Sequence, residues 1–198
     1  MRNSKVWAVL IGIDGYKTAP LSGCVSDARL MEDYLTSVQQ VKKDHIQLLL
    51  GPLGENAGIP SDSLPPTRKN IIDTLLSLAN NNRIERGSDI IIYYAGHGAS
   101  RPSPTGSVEY LCPIDRDSET DRLDIIDRQI NEILYKISLS QGNRITVILD
   151  CCYSAGATRA NDLGGKSYRF RSVPPLPGVS VDYELCAANE DMRLSGSD

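Results

Sequence analysis

The chain is short of several things, and each shortage removes a class of function. With only two His among 198 residues, and five Cys with no CxxC pair, there is no ligand set with the spacing of a structural zinc site. An odd number of unpaired cysteines also argues against a disulfide framework and for reduced thiols in a cytoplasmic setting. No basic block is present, and 21 Lys and Arg against 25 Asp and Glu leave a net charge of −4, which argues against nucleic acid as a partner. The apolar run in MRNSKVWAVLIGIDGY is too short to cross a bilayer and lacks a typical cleavage site, so we expect neither a membrane span nor a signal peptide. GPLGENAG is followed by no Gly-Lys-Ser/Thr and is not a phosphate cradle.

What is present centres on two apolar runs that end in reactive side chains. Ile145, Val147, Ile148 and Leu149 read as a buried parallel strand that stops at Asp150, Cys151 and Cys152. Ser88 to Gly98 is a second such run, closing on His97 between Gly96 and Gly98, where a glycine permits a tight turn or the close approach of a substrate. In open α/β sheets ligands bind outside the carboxyl ends of the strands. Taken alone, either cysteine reads as a small core residue. Neighbouring parallel strands ending in His97 and Cys152 would instead bring an imidazole to a thiol, which is a base and a nucleophile.

The remaining chain reads as a scaffold. The first strand is Val6 to Ile13, closed by the turn pair Asp14-Gly15, and Ala28, Leu30, Met31, Tyr34, Leu35 and Val38 follow at helical spacing with Ser26 or Asp27 as N-cap. His45 to Leu50 is a second strand, with His45 at the end away from any chemistry, and Thr67 caps a helix turning Ile71, Ile72, Leu75, Leu76 and Ala79 inward. A helix from Gln129 to Leu139, capped by Asp127, precedes the strand of Cys152. Alternating strands and helices predict an α/β fold with a mainly parallel sheet and helices on both faces. A chain of this length forms one domain that buries about 70% of its unfolded surface.

Three segments together resemble a known family. Tyr93-Tyr94-Ala95-Gly96-His97-Gly98 is similar to the Y-S/A-G-H-G box of caspase-like cysteine peptidases. Asp150-Cys151-Cys152-Tyr153-Ser154-Ala155-Gly156 resembles the D-x-C-H-S-G box of the metacaspase branch, with Tyr153 where the family has His and one extra residue before the Gly. Leu21-Ser22-Gly23-Cys24-Val25-Ser26-Asp27-Ala28 resembles the metacaspase L-x-G-C-x-x-D-A segment. The 55 positions between His97 and Cys152 are close to the separation of about 50 typical of caspases. The resemblance implies a three-layer α/β/α caspase-like (caspase-hemoglobinase) fold and a cysteine endopeptidase.

It also implies roles. His97 would take the thiol proton, Cys152 would attack the peptide carbonyl, and the N–H groups of Gly98 and Cys152 would hold the oxyanion. Cys152 is preferred to Cys151 because neighbours on a strand face opposite ways and the motif places its nucleophile second after Asp. Asp27, which on spacing alone is as readily a cap, would join Asp150 and Cys24 in a pocket for a basic P1 residue, so protein substrates would be cut after Arg or Lys. Self-cleavage would then fall in the 153–181 loop, at Arg159, Lys166, Arg169 or Arg171. Val181 to Ala188 reads as a further strand, and a full fold would continue with further C-terminal strands, so the expectation is a monomer, either alone or associated with a C-terminal small-subunit fragment.

Calcium is an activator in many metacaspases, bound by an Asp pair ahead of the third helix. Here that place reads Asp127-Arg128, and an EF-hand begun at Asp115 would need Gly where Thr120 stands and Glu where Ile126 stands. The expectation is a solvated acidic loop from Glu109 to Asp121, no required cofactor, and at most weak activation by calcium through Asp115 and Asp127. An alternative reading of the whole chain is a catalytically weak caspase-like signalling or interaction module.

Overall fold

β1 (Val6–Ile13) runs through the middle of the molecule and divides it into two cores. Trp7, Val9, Ile11 and Ile13 enter one core, and Ala8 and Leu10 enter the other, all nearly solvent-free. This is the period-two alternation of a strand covered on both faces, and it explains why the run is apolar throughout. The computed structural model describes residues 5–54, 59–103, 106–116 and 123–153.

β1 pairs in parallel with β2 (Ile46–Gly51) on one side and with β3 (Asp89–Ser103) on the other. The second half of β3 turns into an antiparallel extension made of β4 (Gly106–Leu111) and β5 (Ile125–Ile126). β6 (Ile145–Tyr153) lies in parallel along the other edge of β3 and completes a six-stranded sheet. α1 (Cys24–Asp33) covers the Ala8/Leu10 face, while α2 (Arg68–Asn80) and α3 (Asp127–Gln141) pack together over the opposite face through Ile71, Leu75, Leu78, Ile133 and Ile137. The three-layer α/β/α arrangement expected from the sequence is the one observed.

Contact between α1 and the sheet is unusually close. A Cβ on Gly12 would lie 2.4 Å from the Cys24 carbonyl oxygen and 2.9 Å from Ala28 Cβ, so helix backbone rests directly on strand backbone.

Several boundaries differ from the sequence reading. α1 starts before Ser26 and Asp27, and its N-cap is Gly23 at φ 110°, a left-handed conformation that favours glycine. It ends at Asp33 and passes into a π-helical turn, Tyr34–Val38, which leaves Leu30, Tyr34 and Val38 exposed while Ala28 and Leu35 are buried. His45 belongs to a 3₁₀ turn ahead of β2; its ring stacks on Trp7 at 3.9 Å, which gives this histidine a packing role. Asp127 is the first residue of α3, whose N-cap is Ile126 and which continues to Gln141. Part of the expected acidic loop is strand, since Glu109 to Leu111 belongs to β4. β3 and β6 both run past their expected ends, β6 carrying its ladder through Asp150, Cys151 and Cys152 to Tyr153. Thr67 caps α2 as expected, its hydroxyl accepting from the Asn70 N–H.

Candidate active site

The site forms where β6 ends beside the middle of β3. Their register pairs Ala95 with Asp150, Gly96 with Cys151 and His97 with Cys152. Neighbouring strands lie about 4.8 Å apart, and residues in register occupy the same face of the pleat. His97 and the backbone of Cys152 are thus immediate neighbours. The Cys152 side chain and the four self-cleavage candidates Arg159, Lys166, Arg169 and Arg171 lie outside the described residues. Cys151 packs against the α2/α3 core, so alternation assigns positions 150 and 152 to the opposite, α1 face.

His97 is held at backbone and ring. Its N–H donates to the Tyr16 hydroxyl at 2.9 Å, and its carbonyl accepts from the Tyr94 hydroxyl at 2.8 Å and the Cys112 N–H at 3.0 Å. Its ring packs at a tilt against Tyr16, with centroids 4.5 Å apart. Nε2 lies 2.7 Å from the Ala19 carbonyl oxygen. A carbonyl only accepts, so Nε2 is the donor in this contact and carries a proton. Ala19 sits at φ 54°, a left-handed conformation that a non-glycine residue rarely adopts, and directly precedes Pro20.

Gly96 is glycine for a reason the sequence did not suggest. A Cβ there would come within 2.6 Å of the Tyr16 hydroxyl and 2.9 Å of the Tyr94 hydroxyl. The close approach is made by two tyrosines of the protein itself. Gly98 is buried within the sheet and pairs with Leu111 on β4 and with Tyr153 on β6.

The second half of the site is acidic. Asp27, in the first turn of α1, and Asp150, on β6, both act on Cys24 and on Tyr93, which fixes the four as one group. The Tyr93 hydroxyl donates to Asp150 Oδ2 at 3.4 Å. Burial, then Asp150 and Asp27, raise the pKa of Tyr93 well above its ordinary value, so it remains a neutral donor. Cys24 is pushed up to about 12, first by burial and then by the Asp14 carboxylate. Cys112 is likewise pushed up to about 12 by burial and Asp124. Neither thiol ionises near neutral pH, so neither competes as a nucleophile.

Asp14, Tyr16 and Ala19 are site residues that sequence reasoning missed. Asp14 is 7% exposed, and its two carboxylate oxygens accept from the N–H groups of Cys24 at 2.9 Å and Val25 at 3.2 Å. It supplies the cap that Gly23 has no side chain to provide. Asp-Gly after a strand signals a turn, and the partners of Tyr16 lie 78 to 96 positions away, so nothing local marked these roles.

A family model for the metacaspase, peptidase C14 domain matches residues 7–160. The chain belongs to that family. Among its relatives are Metacaspase-3 of Arabidopsis thaliana, 31% identical over 153 residues, and Metacaspase-5 of Trypanosoma cruzi, 30% identical over 154 residues. These alignments take in 74% and 76% of this chain but only 39% and 33% of those proteins. The crystal structure of protein GSU0716 from Geobacter sulfurreducens superposes with a TM-score of 0.55 at 21% identity, covering 76% of this chain and 52% of that one. That likeness, with the family, gives the fold as caspase-like.

In this metacaspase-family chain the carboxylates near the start of α3 already have partners from the protein. Asp115 accepts from the Arg68 N–H at 2.8 Å and so caps α2, and Asp127 accepts from the Arg128 N–H at 2.7 Å. Asp124, almost wholly buried, takes both arms of the Arg116 guanidinium at 3.0 and 3.1 Å. Among the described residues no group of three or more His, Cys, Asp or Glu converges as a metal site.

Proposed function

We propose that the chain is the catalytic part of a cysteine endopeptidase that cleaves proteins after Arg or Lys. The observation that carries this reading is the register of β3 and β6, which makes positions 97 and 152 neighbours where the parallel ladder between the two strands ends. In the reaction His97 Nδ1 takes the Cys152 thiol proton, and the thiolate attacks the scissile carbonyl. The oxyanion is met by N–H groups, for which Gly98 and Cys152 are the candidates. Collapse of the tetrahedral intermediate expels the amine, protonated by His97, and leaves an acyl-thioester. Water activated by the same imidazole then hydrolyses the thioester and restores the thiol.

Specificity for a basic P1 residue follows from charge. Asp27 and Asp150 both act on Cys24 and Tyr93, and a guanidinium or ammonium bound beside them would gain charge-assisted hydrogen bonds that an Asp side chain would replace with repulsion. No step uses a metal, and the engaged carboxylates of Asp115, Asp124 and Asp127 favour turnover that millimolar calcium changes little. The self-cleavage candidates follow from the same specificity, as does a cytoplasmic substrate pool from the unpaired thiols.

The test is hydrolysis of short fluorogenic peptides ending in Arg, Lys or Asp, by wild type and by the Cys152→Ala, His97→Ala, Asp27→Ala and Asp150→Ala variants. We expect cleavage after Arg and Lys only, and none by Cys152→Ala. Each Asp variant should lose about 10- to 100-fold in kcat/KM, the scale of a charge-assisted contact. Cleavage that survives in Cys152→Ala, or equal cleavage after Asp, would reject the proposal. New termini at Arg159, Lys166, Arg169 or Arg171 that form in wild type and not in Cys152→Ala would support self-processing; equal cutting of both would refute it.

A further inference from the structure

Two buried phenols beneath the base take no part in the chemistry above. Tyr16 is 4% exposed and Tyr94 is fully buried, and their hydroxyl oxygens stand 3.3 Å apart. Each hydroxyl has one proton to give. Tyr16 gives its proton to the Cys112 carbonyl at 2.8 Å and accepts the His97 N–H at 2.9 Å. Tyr94 has acceptors in the His97 and Cys112 carbonyls, both at 2.8 Å. Both polar backbone groups of His97 are therefore answered by tyrosine side chains. Burial raises the pKa of both phenols, so both stay neutral and keep their donor protons.

Tyr16 differs from Tyr94 in one respect: it also meets the imidazole. Its ring packs against that of His97, and three positions along the same loop the Ala19 carbonyl accepts from Nε2. We infer that Tyr16 is a positioning residue for the catalytic base, its hydroxyl fixing the His97 backbone and its ring fixing the plane of the imidazole. The inference rests on the peptidase reading for its kinetic consequence, though the placement of His97 can be measured without it. A side chain that only filled the core would leave His97 in place when a single oxygen was removed. Tyr16 would not, because that oxygen is the acceptor for a buried N–H. The absence of a Cβ at Gly96 is the counterpart of this arrangement, since the space it would need is taken by the two hydroxyls.

The experiment compares Tyr16→Phe with Tyr94→Phe in the full chain. Each variant keeps its ring, so each tests one hydroxyl. On an Arg fluorogenic peptide, Tyr16→Phe should lower kcat roughly 10- to 100-fold with KM within about twofold, the signature of a displaced catalytic group. Tyr94→Phe should cost several-fold less. Hydrogen exchange followed by NMR should show the His97 amide protected in wild type and exchanging at least about tenfold faster in Tyr16→Phe. A kcat within twofold of wild type, an equal loss in Tyr94→Phe, or an unprotected His97 amide in wild type would overturn the inference. The wild-type measurement decides the matter if Tyr16→Phe does not fold. Should wild type cleave no peptide at all, the peptidase reading fails, and the exchange of the His97 amide and Nε2–H in the two variants still decides for or against Tyr16.

Discussion

Replacing Asp14 with Ala should show how far the start of α1 depends on one remote carboxylate. The two oxygens of Asp14 accept from the first two N–H groups of the helix, at 2.9 and 3.2 Å, and the residue is 7% exposed. Gly23 offers no substitute cap. A hydrogen bond to a charged group contributes about 1.5–3 kcal/mol, whereas loss of an ordinary N-cap costs about 1 kcal/mol. Water reaches part of the vacated space and moderates the loss, so we expect Asp14→Ala to destabilise the fold by about 2–4 kcal/mol. Asn keeps one acceptor oxygen and turns a second donor toward the other N–H, so Asp14→Asn should lose about half as much. For a chain of this size each kcal/mol lowers Tm by about 2–4 °C. Thermal and urea unfolding followed by circular dichroism should therefore rank wild type above Asn above Ala. Because α1 carries Cys24 and Asp27, KM for a basic peptide should rise in the same order under conditions where all three are folded. A Tm for Asp14→Ala within about 2 °C of wild type would refute the capping argument, as would an Asn variant no better than Ala.

Three further outcomes follow from the same geometry. With Cys24 pushed up from 9.0 to about 12, its thiolate fraction at pH 8 should be about 1000-fold below that of a free thiol, so iodoacetamide should spare Cys24 and Cys112 in native protein, and rapid labelling of either would contradict their placement. A raised thiol value stabilises the fold fully below pH 9 and less as pH climbs toward 12, so urea midpoints should fall across that interval and fall less in Cys112→Ala. Thr67→Ala removes the acceptor for the Asn70 N–H and should cost about 1 kcal/mol without changing KM, which parallel unfolding and kinetic measurements would check.

The layers and the helix that Thr67 caps were legible because their signals are local: apolar runs, helical spacing and a threonine ahead of Arg68. His97 and Cys152 stood out as candidates because each closes an apolar run, and the register sets the two positions opposite one another. The loop from Asp14 to Pro20 was not, since Asp14 looks like half of a turn and reveals its capping role only against Cys24 and Val25. Helix α1 misled for the same reason. A reader searching for Ser or Asp at the N-cap passes over Gly23, because the cap arrives from another element. The extension by β4 and β5 was hidden in a segment whose acidic residues suggested solvent, although Tyr110 and Leu111 pair with β3 there.

The pairing of His97 with Cys152 has a consequence for how such a site tolerates change. The distance between the two positions is set by the ladder of peptide hydrogen bonds between β3 and β6, a spacing common to every sheet and indifferent to the side chains that pave it. Core residues on either face can thus be exchanged for others of similar bulk while positions 97 and 152 remain abreast. An insertion or deletion of one residue inside either strand is different in kind. It would set His97 opposite position 151 or 153 and send the thiol to the far side of the sheet. Length changes in the connection between the strands, which includes α3, leave the register untouched. Away from Gly96, where two hydroxyls leave no room for a Cβ, these strands accept exchanges of similar volume and are intolerant of a change in count.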